Sequence, residues 1–125
     1  MSSFRERLTF EDRLAERQRA NARRPEHVAT IIERGSPHAP SLDREKFLLP
    51  RELNGSQLIY IIRRRLSMNP SEALFLVCGR QMVTAADTVR GLYAKHCQED
   101  GFLYITYTLE NTFGHKEEEL WGESQ

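Results

Sequence analysis

The chain has 125 residues, and its 18 Lys and Arg residues balance 18 Asp and Glu residues, so its formal net charge at pH 7 is zero. A chain of this length forms one domain with its own hydrophobic core, and its charge is too small to indicate nucleic-acid binding. Two cysteines, Cys78 and Cys97, are too few for a disulfide framework, and no apolar run approaches membrane-spanning length, so we expect a protein of the reducing cytoplasm.

The first predicted element is a helix from Phe10 to about Arg24, because this stretch is rich in Ala, Arg, Glu and Gln and has no helix breaker before Pro25. Its apolar side consists only of Phe10, Leu14 and then alanines. Since this face is narrow, the helix must pack against another element to be stable. The preceding residues, Phe4 to Leu8, are compatible with a second short helical turn.

Two strands are predicted next. Val28 to Arg34 has strand character and stops at Gly35, and Lys46 to Pro50 forms a second, short strand. The proline marks either the end of this strand or an edge position, where a missing N–H is tolerated. The run from Lys46 to Leu49 is therefore the best candidate for an exposed sheet edge.

The strongest predicted helix runs from about Ser56 to Leu66, and either Asn54 or Ser56 can cap it. The predicted core face carries apolar residues at spacings of three and four, namely Ile59, Ile62 and Leu66. A second stripe consists of Leu58 and Ile61, with Arg65 next in phase. One core contact does not need this much apolar width, so the second stripe predicts a further partner.

The second half of the chain predicts two more strands and a helix. Ala73 to Cys78 is expected to be a fully buried strand near the centre of the sheet, and Gly79 turns it into a partner strand, Gln81 to Val83. Asp87 is predicted to cap the helix that follows. The apolar face of that helix recurs at helical spacing and consists of Val89, Leu92, Tyr93 and His96.

The last predicted strand runs from Gly101 to Leu109 and is expected to be buried on one face only. Its inward residues alternate along the run and are Leu103, Ile105, Tyr107 and Leu109. A short arm, Glu110 to Gly114, follows, and residues 115–125 then hold one Lys and four Glu, a formal charge of −3.

This ending indicates a C-terminus that is exposed by cleavage, because a glycine threads a narrow protease or ligase channel more freely than any other residue. The alternative is an ordinary last strand with a frayed polar tail, since disordered termini are common.

Several segments resemble the autophagy ubiquitin-like modifiers, and the resemblance covers residues 4–114. They are Phe4-Arg5-Glu6-Arg7, Thr9-Phe10-Glu11, Ile31-Ile32-Glu33-Arg34, Leu42 to Pro50, Ile61 to Leu66, Glu99 to Tyr104 and Glu110 to Gly114. The triplet Arg63-Arg64-Arg65 and the pair Met82-Val83 are more similar to the microtubule-associated protein light chain 3 branch of that family than to the GABA-receptor-associated branch.

The order of elements, helix–β–β–α–β–β–α–β, predicts an α+β protein with the ubiquitin-like β-grasp fold and an additional N-terminal helical arm. We expect the arm over residues 1–26, packed on the core, the β-grasp core and C-terminal arm over residues 27–114, and a removable tail over residues 115–125. Ubiquitin-like folds also place the first and last strands side by side and parallel.

The resemblance implies that the protein is not an enzyme and has no cofactor, but is the substrate of a processing cysteine protease and of activating, carrier and ligase enzymes. The protease would cut between Gly114 and His115, and the new carboxyl group would be joined to phosphatidylethanolamine on the autophagosome membrane. The modifier would then recruit autophagy receptors and adaptors through an aromatic-x-x-aliphatic motif. Before conjugation we expect a cytoplasmic monomer. The alternative is a β-grasp adaptor that binds the same motifs, is never conjugated and keeps its tail.

The resemblance also implies two pockets for this motif. The aromatic residue would enter a pocket between the N-terminal helix and the edge strand, lined by Glu16, Ala20, Ile31, Lys46, Leu48 and Phe102. The aliphatic residue would enter a pocket on the flank of the main helix, lined by Phe47, Leu49, Pro50, Leu58, Ile61 and Arg65. Acidic residues preceding the motif would meet Arg7, Arg44 and Lys46. The alternative for the apolar residues, above all Ile31 and Phe47, is plain core.

One departure from the family bears on the first pocket. Ala20 stands where the family usually has a larger aliphatic residue, so this pocket should be wider or shallower than in its relatives.

Competing motifs are weak. His96 and Cys97 are adjacent, and neighbouring helical residues point about 100° apart, so they do not form a nucleophile–base pair. The four histidines, His27, His38, His96 and His115, show no ligand spacing, so we expect no metal site. The arginine triplet could indicate RNA binding, but positive charges suit a helix C-terminus, and a solvated helix end accounts for Arg63 and Arg64.

Overall fold

The computed structural model describes residues 3–109 of the chain. The helices are α1 (Phe4–Arg7), α2 (Phe10–Arg23), α3 (Gly55–Leu66) and α4 (Val89–His96). The strands are β1 (His27–Arg34), β2 (Lys46–Pro50), β3 (Phe75–Cys78), β4 (Gln81–Met82) and β5 (Leu103–Thr108). All the predicted elements therefore exist, and their ends shift by no more than two residues.

The five strands form one mixed sheet in the order β2-β1-β5-β3-β4. The first and last strands, β1 and β5, pair in parallel, with Thr30 opposite Leu103 and Arg34 opposite Tyr107. The other pairs are antiparallel. This arrangement confirms the predicted ubiquitin-like fold with its N-terminal helical arm.

The centre of the sheet is β5, which pairs with both β1 and β3. Strand β3 lies next to β5, near the centre of the sheet as expected, and only the two-residue strand β4 lies beyond it. Leu74 and Leu76 are buried, whereas Phe75 and Val77 keep partial exposure. The strand is thus covered mainly on one face.

The main hydrophobic core fills the space between one face of the sheet and helices α3 and α4. Its largest fully buried side chains are those of Ile32, Leu58, Ile62, Leu76, Leu92, Leu103, Ile105 and Tyr107. The hydroxyl group of Tyr107 donates a hydrogen bond to the carbonyl oxygen of Pro40 at 2.6 Å. This bond anchors the loop between β1 and β2 to the core.

The core face of α3 differs from the predicted one. Leu58, Ile62 and Leu66 are buried, whereas Ile59 and Ile61 are partly exposed. Placing Leu58 on an exposed flank was therefore wrong, because a spacing of four residues turns it towards the sheet. The cap is Asn54, whose side chain accepts from the N–H of Gln57 at 2.9 Å and whose own N–H donates to that glutamine.

A second hydrophobic cluster covers the opposite face of the sheet. It consists of Phe4, Ala29, Ile31, Phe102 and Tyr104, with Leu8, Ala20 and Leu48 partly buried against it. The rings of Phe4 and Phe102 meet edge to face, with their centroids 5.3 Å apart. The last strand is consequently buried on both faces, and the expectation of a half-buried strand was wrong because α1 and α2 cover its second face.

The N-terminal helices are tied to the sheet by a buried ion pair. Arg13 Nε lies 2.8 Å from Asp100 Oδ2, and Arg13 also donates to the carbonyl oxygen of Leu8 at 2.8 Å. Asp100 accepts two further hydrogen bonds, from the Tyr104 hydroxyl at 2.6 Å and the Phe102 N–H at 3.0 Å. Burial raises the pKa of Asp100, but these hydrogen bonds and the arginine outweigh burial and hold the pKa below its usual value.

The start of α4 also differs from the prediction. Thr88 is the N-cap, and its side chain accepts from the N–H of Gly91 at 3.0 Å. Asp87, the predicted cap, instead accepts from the N–H of Thr84 at 2.7 Å and closes the preceding turn. This hydrogen bond lowers the pKa of Asp87.

The first residue of α3 packs directly on that turn. The N–H of Gly55 donates to the carbonyl oxygen of Asp87 at 2.7 Å. A Cβ atom on Gly55 would lie 1.8 Å from the carbonyl oxygen of Thr84, so any side chain here forces the backbone apart. Glycine is required at this position for close approach.

Replacing Arg13 by Leu should destabilise the protein by about 3 kcal/mol, because the Asp100 carboxylate stays buried without its charge partner. Arg19→Leu on the same helix is the matched control, since Arg19 is exposed and has no salt bridge among residues 3–109. It should change the free energy of unfolding by less than about 0.5 kcal/mol. Urea unfolding measures both values, and an equal loss in the two variants would contradict the role of the ion pair.

Gly55→Ala should destabilise the protein by about 3 kcal/mol, because the added methyl group overlaps backbone that cannot move cheaply. Ser56→Ala, one residue further along the same helix, is exposed and should have little effect. Thermal unfolding followed by circular dichroism compares the two variants. A wild-type melting temperature for Gly55→Ala would contradict this prediction, because it would show that the backbone at Thr84 moves aside without a cost in stability.

Candidate functional site

Strand β2 forms one edge of the sheet, as predicted for Lys46 to Leu49. It pairs with β1, from His27 opposite Pro50 to Ile31 opposite Lys46, and within residues 3–109 no strand covers its other side. Phe47 and Leu49 point into the main core, while Leu48 points to the opposite face. The edge therefore offers backbone groups to a further strand.

A groove of about 830 Å³ lies between α2 and this edge. Its lining residues are Glu16, Arg19, Ala20, Arg23, Arg24, His27, Ala29, Arg44, Lys46, Phe47, Leu48 and Phe102. Most of the apolar surface comes from the half-buried side chains of Ala20 and Leu48, and the largely buried Ala29, Phe47 and Phe102 complete the apolar lining. The remaining lining residues are polar or charged. We refer to this feature as the α2–β2 groove.

The α2–β2 groove brings together five of the six residues predicted for the first pocket: Glu16, Ala20, Lys46, Leu48 and Phe102. The sixth, Ile31, has no exposed surface and belongs to the second hydrophobic cluster. The plain-core alternative is therefore correct for Ile31. Arg44, predicted to meet acidic residues, also lines the groove.

The charges around the α2–β2 groove are unbalanced. Five cationic side chains line it, and the only carboxylate among its lining residues is that of Glu16, which lies 3.0 Å from the Lys46 amine. Arg19, Arg23 and Arg24 form no salt bridge within the described part of the chain. Sequence reasoning missed these three arginines because they are exposed residues on α2 and at its C-terminal end, where charges are ordinary.

Arg7 lies further along the same edge and already has a partner. Its guanidinium group forms an ion pair with Glu45, the residue before β2. The hydrogen bond that Arg7 donates to the Glu45 carboxylate raises the pKa of Arg7. A ligand carboxylate at this point would have to compete with Glu45.

The six residues predicted for the second pocket are divided between core and surface. Phe47, Leu49 and Leu58 are buried in the main core, so in this conformation they offer little contact area. The side chains that keep appreciable surface are those of Pro50, Ile61 and Arg65. Arg65 binds both carboxylate oxygens of Asp43, at 3.1 and 2.9 Å, and its guanidinium carbon lies 5.6 Å from the centre of the Phe47 ring.

A second cavity, of about 300 Å³, was not predicted. It lies between α2, the start of β1 and α4, and Arg17, His27, Arg51, Arg90 and Tyr93 are among the residues that line it. Arg17 donates to the Tyr93 hydroxyl at 3.0 Å, but Arg17 Nε and His27 Nδ1 are buried with no hydrogen-bond partner in the described part of the chain. Its walls come from separate segments, so no local sequence signal indicated it.

The competing motifs have structural roles or none. Arg63 donates to backbone carbonyl oxygens of Asn69, Pro70 and Glu72, so it closes the loop after α3 and is not simply a solvated helix end. His96 Nε2 lies 2.9 Å from Gln81 Oε1.

Over residues 3–109, no group of His, Cys, Asp and Glu side chains is arranged to hold a metal ion. The same residues contain no helix long and apolar enough to cross a membrane.

The family model described as autophagy protein Atg8, ubiquitin-like, matches residues 12–114 of the chain. The chain belongs to the Atg8 family. This finding confirms the resemblance to the autophagy ubiquitin-like modifiers.

Individual Atg8 proteins match along most of their length. Autophagy-related protein 8 of Mycosarcoma maydis is 35% identical, with 90% of this chain and 97% of that protein covered. Autophagy-related protein 8b of Arabidopsis thaliana is 37% identical, with 90% and 93% covered. The crystal structure of Trypanosoma brucei ATG8 superposes with a TM-score of 0.80 at 29% identity, covering 86% of this chain and 94% of that one.

The match to the Atg8 family model ends at Gly114, the predicted last residue of the processed chain. Gly114 and His115 themselves lie outside the residues that the structure describes. Residues 115–125 lie beyond the family match and carry four of the 18 acidic residues of the chain.

Proposed function

We propose that this Atg8-family protein is a modifier that is cleaved after Gly114 and conjugated through that glycine to phosphatidylethanolamine on autophagosomal membranes. It recruits receptors and adaptors that carry an acidic stretch followed by an aromatic-x-x-aliphatic motif. The observation that carries the recruiting function is the α2–β2 groove, an apolar surface rimmed by cations beside an open sheet edge.

Motif capture follows from the properties of this edge. An extended peptide adds to β2 as a further strand, so its backbone supplies affinity and its alternate side chains supply specificity. An aromatic side chain packs on Ala20, Leu48 and Phe102, while preceding carboxylates meet Arg44 and Lys46. Each exposed ionic contact is worth at most about 1 kcal/mol and weakens with added salt.

The aliphatic residue of the motif is assigned to the surface formed by Pro50, Ile61 and Arg65. Leu58 is fully buried in the main core, so in this conformation it adds no exposed area to this surface. The Asp43 carboxylate holds the Arg65 side chain beside the Phe47 ring.

Conjugation requires an unhindered carboxyl group that can reach the catalytic cysteines of other enzymes. Gly114 lies five residues beyond Leu109, the last described residue, which gives an extended reach of about 17 Å. The end of the family match at Gly114 supports this glycine as the residue whose carboxyl group is transferred to the lipid amine. The chain is thus a substrate of a cysteine protease and of activating, carrier and ligase enzymes, and is not itself a catalyst.

Lys46→Ala and Leu48→Ala should each weaken binding of an aromatic-x-x-aliphatic peptide by about 1–2 kcal/mol, because the first removes a charge and an aliphatic stem and the second removes apolar contact. Lys95→Ala on α4 is the control, since Lys95 is exposed outside the groove. Titration calorimetry gives the affinities. Wild-type affinity in both groove variants would place the peptide elsewhere.

Gly114→Ala should block or strongly slow both cleavage and lipid transfer, because the added methyl group does not fit a channel built for glycine. A chain that ends at Gly114 should bypass the protease and still become membrane-bound. Intact mass and membrane fractionation from cells measure both steps. If Gly114→Ala retains full length and still forms membrane puncta, the protein acts instead as an unconjugated adaptor with a permanent tail.

A further inference from the structure

The charge of the α2–β2 groove is not matched by the part of the chain that the structure describes. Five cations and one carboxylate line the groove, and that carboxylate, on Glu16, is already paired with Lys46. Arg19 and Arg23 lie on α2 and Arg24 follows it as the C-cap, and none of the three forms a salt bridge among residues 3–109. Because these cations line one groove, the groove favours a ligand that carries negative charge.

The chain itself contains a segment with the complementary chemistry. Glu117, Glu118 and Glu119 are followed by Leu120 and Trp121, the only tryptophan in the sequence. An acidic run that leads into a large aromatic side chain suits a cation-rimmed groove with an apolar floor. Residues 115–125 carry a formal charge of −3 and lie beyond the match to the family model.

The chain is also long enough to bring this segment to the groove. Trp121 follows Leu109 by twelve residues, which gives a maximum reach of about 40 Å and a root-mean-square reach of about 19 Å for a flexible chain. Phe102, in the floor of the groove, precedes Leu109 by seven residues along β5, a separation of about 23 Å. The two distances are comparable, so the segment can reach the groove without full extension.

We propose that the segment Glu117–Trp121 docks into the α2–β2 groove of its own chain, with its glutamates against the arginines of α2 and Trp121 on the floor formed by Ala20, Leu48 and Phe102. The unprocessed protein is then closed to receptors. Removal of residues 115–125 opens the groove at the same step that frees Gly114. This regulatory role rests on the proposed function of the groove, whereas the docking itself does not.

The expected size of the effect follows from tethering. A flexible tether of this kind gives an effective concentration on the order of 1 mM, and a segment whose intrinsic dissociation constant is about one tenth of that concentration weakens binding of a competing peptide about tenfold. Because the contact is partly ionic, this factor should fall as salt is added.

The first experiment uses Trp121 as its own probe in the full-length chain. Docking predicts an emission maximum shifted to the blue and weaker quenching by acrylamide than in urea-unfolded protein. Arg23→Glu should abolish both effects. The same substitution at Arg80, in the turn between β3 and β4 at the opposite edge of the sheet, should leave them unchanged.

The second experiment measures competition by a peptide with an acidic stretch and a Phe-x-x-aliphatic motif, so that Trp121 stays the only indole. Peptide binding should shift the Trp121 emission back to the red. Trp121→Ala should tighten peptide binding about tenfold, and so should joint replacement of Glu117, Glu118 and Glu119 by Gln. Glu123→Gln, outside the docking segment, is the control and should have little effect.

The outcomes distinguish docking of the segment Glu117–Trp121 from receptor binding at the α2–β2 groove. Trp121 emission that is equally red in folded and unfolded protein, or that responds alike to Arg23→Glu and Arg80→Glu, would overturn docking in this groove. Burial of Trp121 that depends on protein concentration would assign the segment to a second copy and also overturn it. If the peptide binds none of the variants, the receptor-binding function fails while the fluorescence still decides the docking.

Discussion

The ion pair between Arg13 and Asp100 is the interaction on which the rest of this structure depends. It fixes α2 over the second face of the sheet, and α2 in turn provides one wall of the groove whose floor is formed by β1, β2 and Phe102. Without that attachment the second hydrophobic cluster would lose its cover, and the cations of α2 would no longer stand beside the edge strand. An ion pair between residues 87 positions apart in sequence therefore helps to place a groove beside the sheet edge.

Much of the fold could be predicted from local sequence. Glycines, prolines and hydrophobic periodicity indicated most of the helices and strands, and the resemblance gave the parallel pairing of β1 with β5. The burial of β5 on both faces was missed, because alternation along this strand identifies only the face with Leu103, Ile105 and Tyr107. The other face is covered by Phe4, almost a hundred residues earlier in the chain, and no local pattern reports such a contact.

The site was predicted less completely than the fold. Ala20, Lys46 and Leu48 are where the resemblance placed them, around one groove. Leu58 was misplaced because Leu58-Ile62-Leu66 and Ile59-Ile62-Leu66 both satisfy helical spacing, and only the neighbouring strands decide which set is buried. The arginines of α2 were missed for a different reason. The sequence around a charged residue on a polar helix face does not indicate which part of the protein that residue lies beside.

The residues at the two ends of β2, Lys46 and Pro50, have a consequence for self-association. An unpaired strand invites pairing with a second copy of the same chain, which is a common origin of aggregation. In an antiparallel pairing of two β2 strands in full register, Lys46 of each copy would face Pro50 of the other, and proline has no N–H to donate. In a parallel pairing the two lysines would repel each other. A foreign strand with acidic residues escapes the charge repulsion, and one that ends before Pro50 also avoids the missing N–H, so the same five residues disfavour pairing between copies more than pairing with such a strand.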